Sequence, residues 1–239
     1  MRALLLLSLL ATTTIAAPRD LRPRYGSGWT GFAVGSSVRM KMTAAVPKRV
    51  PFVQITTTTL KKVEKNRLTL ESVTENQLTD PQKRSSTVPP AGEAGVGETE
   101  TSKKLPDEKI KAAGRDWECT KRQITITGAA GKRVITDWIA KDPLLRVKRE
   151  EKRYDKTGKL TGTTSTVLSK PAQKADIGGR VVLAFAYRSV TKSGDDEQRS
   201  ETWTSRQVPG DLVSGEIKFY KKGKLIQTLT LKALKFVTK

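Results

Sequence analysis

Alternation at period two runs through nearly every ordered-looking stretch of this 239-residue chain, and it dictates a β protein. In SSVRMKMTA, Val38, Met40 and Met42 fall on one face and Arg39, Lys41 and Thr43 on the other. FVQITTTTLKKV and RLTLESV follow as a hairpin through Glu64-Lys65-Asn66. RVVLAFAYRSV puts Val181, Leu183, Phe185 and Tyr187 on one face and smaller residues on the other; LVSGEIKFY sets Val213, Ile217 and Phe219 against Glu216 and Lys218. Abundant threonine suits strands as well.

The pattern is also duplicated. At an offset of 65 residues Gly114-Arg115 meets Gly179-Arg180, and Trp138 meets Trp203. After one inserted residue, Pro143, Val147, Glu150, Lys152 and Tyr154 meet Pro209, Val213, Glu216, Lys218 and Tyr220. A longer turn in the first copy restores the offset, so Gly158-Lys159-Leu160 meets Gly223-Lys224-Leu225. Length differences confined to turns are what a duplicated β unit shows. Two repeats of ~65 residues, 114–178 and 179–239, are therefore expected, each with strands, an inward tryptophan and a glycine turn. The fold class that follows is mainly β: an antiparallel open curved sheet or half-barrel, partly built by these repeats.

The duplication bears on residues 143–156. Alone, DPLLRVKREEKRYDKTG admits a helix, with Asp142 as N-cap, Pro143 at N1 and Arg146 paired to Glu150. Its counterpart GDLVSGEIKFYKKG makes a poor helix, which favours strand. Arg149, Glu151 and Arg153 then take the places of Gly215, Ile217 and Phe219. A charged strand in an apolar strand's place is either a solvated ribbon, the more ordinary outcome, or the wall of a wet cavity. Arg149, Glu151, Arg153 and Trp203 are accordingly candidate ligand-binding residues. Lys156, Lys159, Lys221, Lys222 and Lys224, in the two glycine turns, are candidate anion-binding residues, provided both turns lie at one end of the sheet.

The N-terminus predicts export. Arg2 precedes the apolar ALLLLSLLA, too short for a permanent anchor, and small residues close the segment. Residues 1–17 are taken as the signal peptide, with cleavage after Ala16 favoured because Pro18 suits a protease badly at the scissile bond. No later stretch is long and apolar enough for a membrane helix, so the expected product is periplasmic or extracellular, without an integral membrane segment. Residues 18–34 read as a flexible lead. Residues 35–239 read as one β domain interrupted at about 77–109, where four prolines, three glycines and few large apolar residues predict a disordered loop.

Composition excludes much chemistry. There is no histidine and a single cysteine, Cys119, so His-based acid–base catalysis, thiolate metal clusters and intramolecular disulfides are absent. SVTK (189–192) and KTG (156–158) imitate β-lactamase elements in reversed order without a third; GAAGK (128–132) lacks phosphate-loop spacing; Asp195-Asp196-Glu197 reads as a solvated turn. The expectation is a non-catalytic protein with no cofactor and no metal. A formal charge of +21 points to anionic partners, lipid head groups or acidic polysaccharide. The few aromatics beside the lysines disfavour nucleic acid.

Trp138, Pro143, Tyr154, Gly158 and Leu160, echoed by Trp203, Pro209, Tyr220, Gly223 and Leu225, give a W-I-x-K-x-P-L…Y-D-K-x-G-K-L pattern. It resembles the bacterial lipoprotein-carrier (LolA-like) superfamily, and the W…VPG version resembles exported bacterial proteins of unassigned role. The resemblance implies an antiparallel half-barrel that binds an acyl chain or other amphipathic molecule beneath short lid helices, for which only residues 76–113 are placed. The functional expectation is an exported binding protein holding a lipid or other amphipathic molecule on its concave face. The alternative is a polyanion- or cell-surface-binding protein acting through basic hairpin tips.

Overall fold

The computed structural model describes residues 28–64, 67–76, 79–88, 97–142 and 145–239, so the expected signal peptide lies outside the described residues. Thirteen strands form one antiparallel sheet: β1 (Ser37–Ala45), β2 (Phe52–Glu64), β3 (Arg67–Asn76), β4 (Gln82–Val88), β5 (Thr99–Ala112), β6 (Arg115–Gly128), β7 (Gly131–Ala140), β8 (Leu145–Tyr154), β9 (Leu160–Ile177), β10 (Arg180–Ser193), β11 (Asp196–Thr204), β12 (Leu212–Lys221) and β13 (Lys224–Val237). Their order is β4-β3-β2-β1-β13-β12-β11-β10-β9-β8-β7-β6-β5, an open sheet with β4 and β5 at its edges. No helix among the described residues is long and apolar enough to cross a membrane.

The sheet is curved. Leu68 and Leu70 of β3 share a core with Val182 and Ala184 of β10. Those strands stand six places apart, about 29 Å on a flat sheet at ~4.8 Å per strand. Only a curled sheet brings them together. Leu60 pairs with Leu70 and Met40 with Ala233, on the same face as Met42 and Leu231, which makes that face the concave one. Register shifts in β1–β13, β7–β8, β9–β10 and β11–β12 supply bulges that bend the strands.

One end of the concave face is closed. Trp29 and Val208 enter the same core, Gly210 donates its N–H to the Gly28 carbonyl at 2.7 Å, and the Lys239 N–H reaches Ser36 Oγ at 3.1 Å. Gly210 has φ +82°, and a Cβ there would press on the Trp29 indole, 3.3 Å from its nitrogen. Residues 28–34 of the supposed flexible lead are thus ordered at this end, with Trp29 buried.

Two sequence expectations are corrected. The stretch 77–109, expected to be a disordered loop, contains β4 and most of β5. Both are edge strands with almost every side chain exposed, so ladder hydrogen bonds to a single neighbour order them without an apolar face. β5 carries Pro106 within its register shift and four lysines, features that protect a free edge. In β10 the large residues do not all face inward: Val181 and Leu183 are exposed and Val182, Ala184 and Ala186 are buried. The β9–β10 turn presses on β13, where a Cβ on Gly178 would lie 2.8 Å from the Leu234 carbonyl oxygen. Small residues allow that approach. Residues 145–154 are strand, the alternative that comparison of the two copies favoured.

Trp138 and Trp203 differ in their surroundings. Trp138 is buried, donates its indole N–H to Glu108 at 3.0 Å, and lies under the ammonium groups of Lys121 and Lys148. Trp203 is only partly buried against the core around Trp29. Trp138→Ala is therefore expected to lose ~3–5 kcal/mol and Trp203→Ala distinctly less, read as urea midpoints. Equal losses would contradict this distinction.

Candidate functional site

Cross-strand pairs in an antiparallel sheet share a face, so register can be followed from strand to strand. Phe52 pairs with Ala44, Ala44 with Leu229, Leu229 with Ile217, and Ile217 with Ser200. Ser200 then pairs with Ser189, Ser189 with Thr166, Thr166 with Arg149, Arg149 with Asp137, and Asp137 with Arg122. This single row crosses ten strands of the concave face, and its chemistry changes in order. It begins apolar, where Ala44, Ile217, Leu229 and Leu231 form a core with Met40, Met42, Phe52 and Phe219 around them. It becomes hydroxylic: Thr166 Oγ1 donates to Ser189 Oγ at 3.0 Å, and Thr164 and Thr191 share a hydrogen bond at 3.0 Å. It ends charged.

At the charged end, three guanidinium groups converge on one carboxylate. Arg122 Nη2 donates to Asp137 Oδ2 at 3.2 Å; Arg146 Nε and Arg149 Nε stand 3.2 and 3.3 Å from Asp137 Oδ1. All four residues are buried. Arg146 and Arg149, three apart, belong on opposite sides of a regular strand. The register shift between Trp138 and Ile139 leaves Val147 as an extra residue in β8, and that bulge lets both arginines reach the same oxygen. Glu151, also buried, accepts from Arg153 Nε at 2.6 Å. Ile124, Ile126 and Ile135 pack beside the cluster.

Two buried polar atoms on this face, Arg122 Nε and Thr202 Oγ1, make no hydrogen bond among the described residues. Buried polar groups are ordinarily satisfied, so such atoms mark places where a further partner fits. Among the described residues no three His, Cys, Asp or Glu side chains gather as a metal site. The only thiol, Cys119, is buried, and burial, then Glu108 and Glu118, push it up to about 11. It is a poor nucleophile at neutral pH.

The structure brings Arg149, Glu151 and Arg153 to one wall, and the strand is no solvated ribbon, because Arg149 and Glu151 are buried. Trp203 does not join them. It pairs with Ala186 and Ser214 and packs against the core around Trp29, toward the closed end. The five turn lysines emerge at one end of the sheet, since the β8–β9 and β12–β13 turns are separated by an even number of antiparallel strands. They are not one cluster: four strand spacings, about 19 Å, separate the two turns, and the β10–β11 turn stands between. Asp137, Arg122 and Arg146 were not legible as site residues; the signal was Asp137 directly before Trp138 on an alternating strand.

No protein-family model and no curated protein sequence matches this chain. Among solved structures it is similar to a LolA superfamily protein from Nitrosomonas europaea, with 10% identity and a TM-score of 0.35 over 93% of this chain and 90% of that one. A protein with a YmcC-like fold from Bacteroides fragilis gives 6% identity and a TM-score of 0.39 over 89% and 100%. A DUF1329 family protein from Desulfovibrio piger gives 11% and 0.35 over 87% and 86%.

Asp137→Asn removes the carboxylate that three buried guanidiniums share and is expected to cost ~3–5 kcal/mol in chemical denaturation. A loss below ~1 kcal/mol would show that the arginines hold their places without it. Cys119 is expected to resist iodoacetamide in the folded protein near neutral pH and to react on unfolding, as mass spectrometry of the alkylated chain will show.

Proposed function

We propose that this protein is an exported, non-catalytic binding protein that holds a lipid or other amphipathic molecule on the concave face of its sheet. The observation that carries this reading is the ordered row from Phe52 to Arg122, apolar, then hydroxylic, then charged, on one side of one sheet. An amphipathic molecule has the same order of parts. Its apolar part lies on Met42, Leu229, Leu231, Ile217 and Phe219, and its polar part crosses the β9–β11 hydroxyls toward Arg149 and Arg122. From β13 to β8 this spans five strand steps, about 24 Å around the curve.

Export rests on the leader-like residues 1–17, with periplasm and extracellular space both open to the product. The non-catalytic role rests on the absence of histidine and on the inert thiol. Bound at the charged end, a polar head group supplies a partner for Arg122 Nε, and hydroxyl contacts do the same for Thr202 Oγ1.

Protein purified without detergent is expected to carry acyl-chain species detectable by mass spectrometry of a solvent extract. Met42→Asn and Phe219→Ser, at partly buried positions of the apolar stretch, are expected to lower the retained amount several-fold while the melting temperature stays within a few degrees. Native protein that carries no such species, and takes up no fluorescent fatty acid, would falsify the reading.

A further inference from the structure

Toward the end closed by Trp29 and Val208, Lys61 pairs with Glu71, Lys62 with Glu64 and Lys141 with Asp107, while the exposed Arg180 and Lys235 make no ion pair among the described residues. At the other end emerge the β1–β2, β8–β9, β10–β11 and β12–β13 turns. Three of these carry Lys48 and Arg49, then Lys156 and Lys159, then Lys221, Lys222 and Lys224, all exposed. Among the described residues only Lys222 of these seven has an ion-pair partner, Asp195 at 3.9 Å.

Aliphatic side chains stand out from the same turns. Val50 is 91% exposed, and Leu160, Ile226 and Leu225 are 49%, 45% and 41% exposed. Exposed aliphatics among unpaired lysines fit a surface that is charged outside and apolar just beneath, which describes an anionic bilayer. A soluble polyanion gives the aliphatics nothing to contact. Lys48 and Lys222 also occupy left-handed backbone, with φ of 62° and 49°, where Gly or Asn sits at lower cost.

We propose that this end of the sheet is a docking surface for an anionic lipid bilayer, with Val50, Leu160, Leu225 and Ile226 entering the head-group layer and the lysines meeting phosphates. Docking rests on these turns alone; that it presents the concave row to the membrane rests on the reading above. The end opposite the Trp29 closure then faces the bilayer.

The test is co-sedimentation of the purified protein with phosphatidylcholine vesicles made with and without phosphatidylglycerol. Binding is expected only with phosphatidylglycerol, and is expected to weaken as salt rises from ~0.1 M toward ~1 M and the Debye length falls from ~10 to ~3 Å. Each lysine near such a surface is worth about fivefold in partitioning, so joint Lys221→Gln, Lys222→Gln and Lys224→Gln is expected to lower it roughly 100-fold. Val50→Ser alone, at a position too exposed to affect folding, is expected to lower it measurably. The lysine variant is expected to keep its extracted lipid, which separates this surface from the concave row. Equal binding to neutral vesicles, wild-type binding by Val50→Ser, or equal loss on replacing Lys61, Lys62 and Lys141 at the closed end would each overturn the proposal.

Discussion

A large sheet with no helix over its faces among the described residues has to cover itself. Thirteen strands exceed what an open sheet ordinarily sustains flat, and apolar side chains on a flat face would stay in water. Curling is the available solution, and the rest of the molecule follows from it. It brings β3 to β10, makes room for Trp29 and Val208 at one end, and turns one register-defined face inward. Bulges are the hinges of the curl. The same bulges that bend strands re-aim side chains, which is how Arg146 and Arg149 come to share Asp137.

That inward face is more polar than stability alone favours. Ion pairs removed from water recover their desolvation cost only with good geometry and full hydrogen bonding, and apolar replacements of similar volume are often as stable. The threonine pairs meet that standard: Thr56 with Thr74, Thr58 with Ser72, Thr164 with Thr191 and Thr166 with Ser189 satisfy one another across neighbouring strands. Arg122 does not, because its Nε has no hydrogen bond among the described residues. Along one row, then, the face passes from what a core requires to what a core avoids. Unfavourable terms gathered at one end of a row are economical for binding, since a single head group offsets several of them together.

The architecture was legible because alternation is local: Val38, Met40 and Met42 announce a strand whatever they pair with. Strand over helix at 145–154 was legible from comparison with 212–221, and burial of Arg149 and Glu151 was not, because burial depends on what curls over them. The strands within 77–109 were missed for a related reason. Edge strands such as QKRSSTV are ordered by hydrogen bonds to one neighbour and show no apolar face to read. In β10 residue size did not mark the buried face at the start of the strand, where Val181 and Leu183 are exposed and Val182 and Ala184 are buried. Trp203, a candidate alongside Arg149, lies instead against the core around Trp29, a neighbour that no local pattern announces.

The row itself was beyond any reading of local motifs. Its members are consecutive in space and scattered in sequence, from Phe52 and Ala44 through Leu229 and Ile217 to Arg149, Asp137 and Arg122. Within each strand the inward residue is ordinary, one of several alternating positions. Its meaning comes only from the nine registers that align it with the others, and a one-residue slip in any strand would present the opposite face. Polarity here changes across the strands, at ~4.8 Å per step, and not along them. A molecule matched to this gradient lies across the strands, touching one or two side chains from each. Replacing one residue therefore alters only a short part of its contact. A face of this kind suits retention of a class of amphipathic molecules better than selection of one.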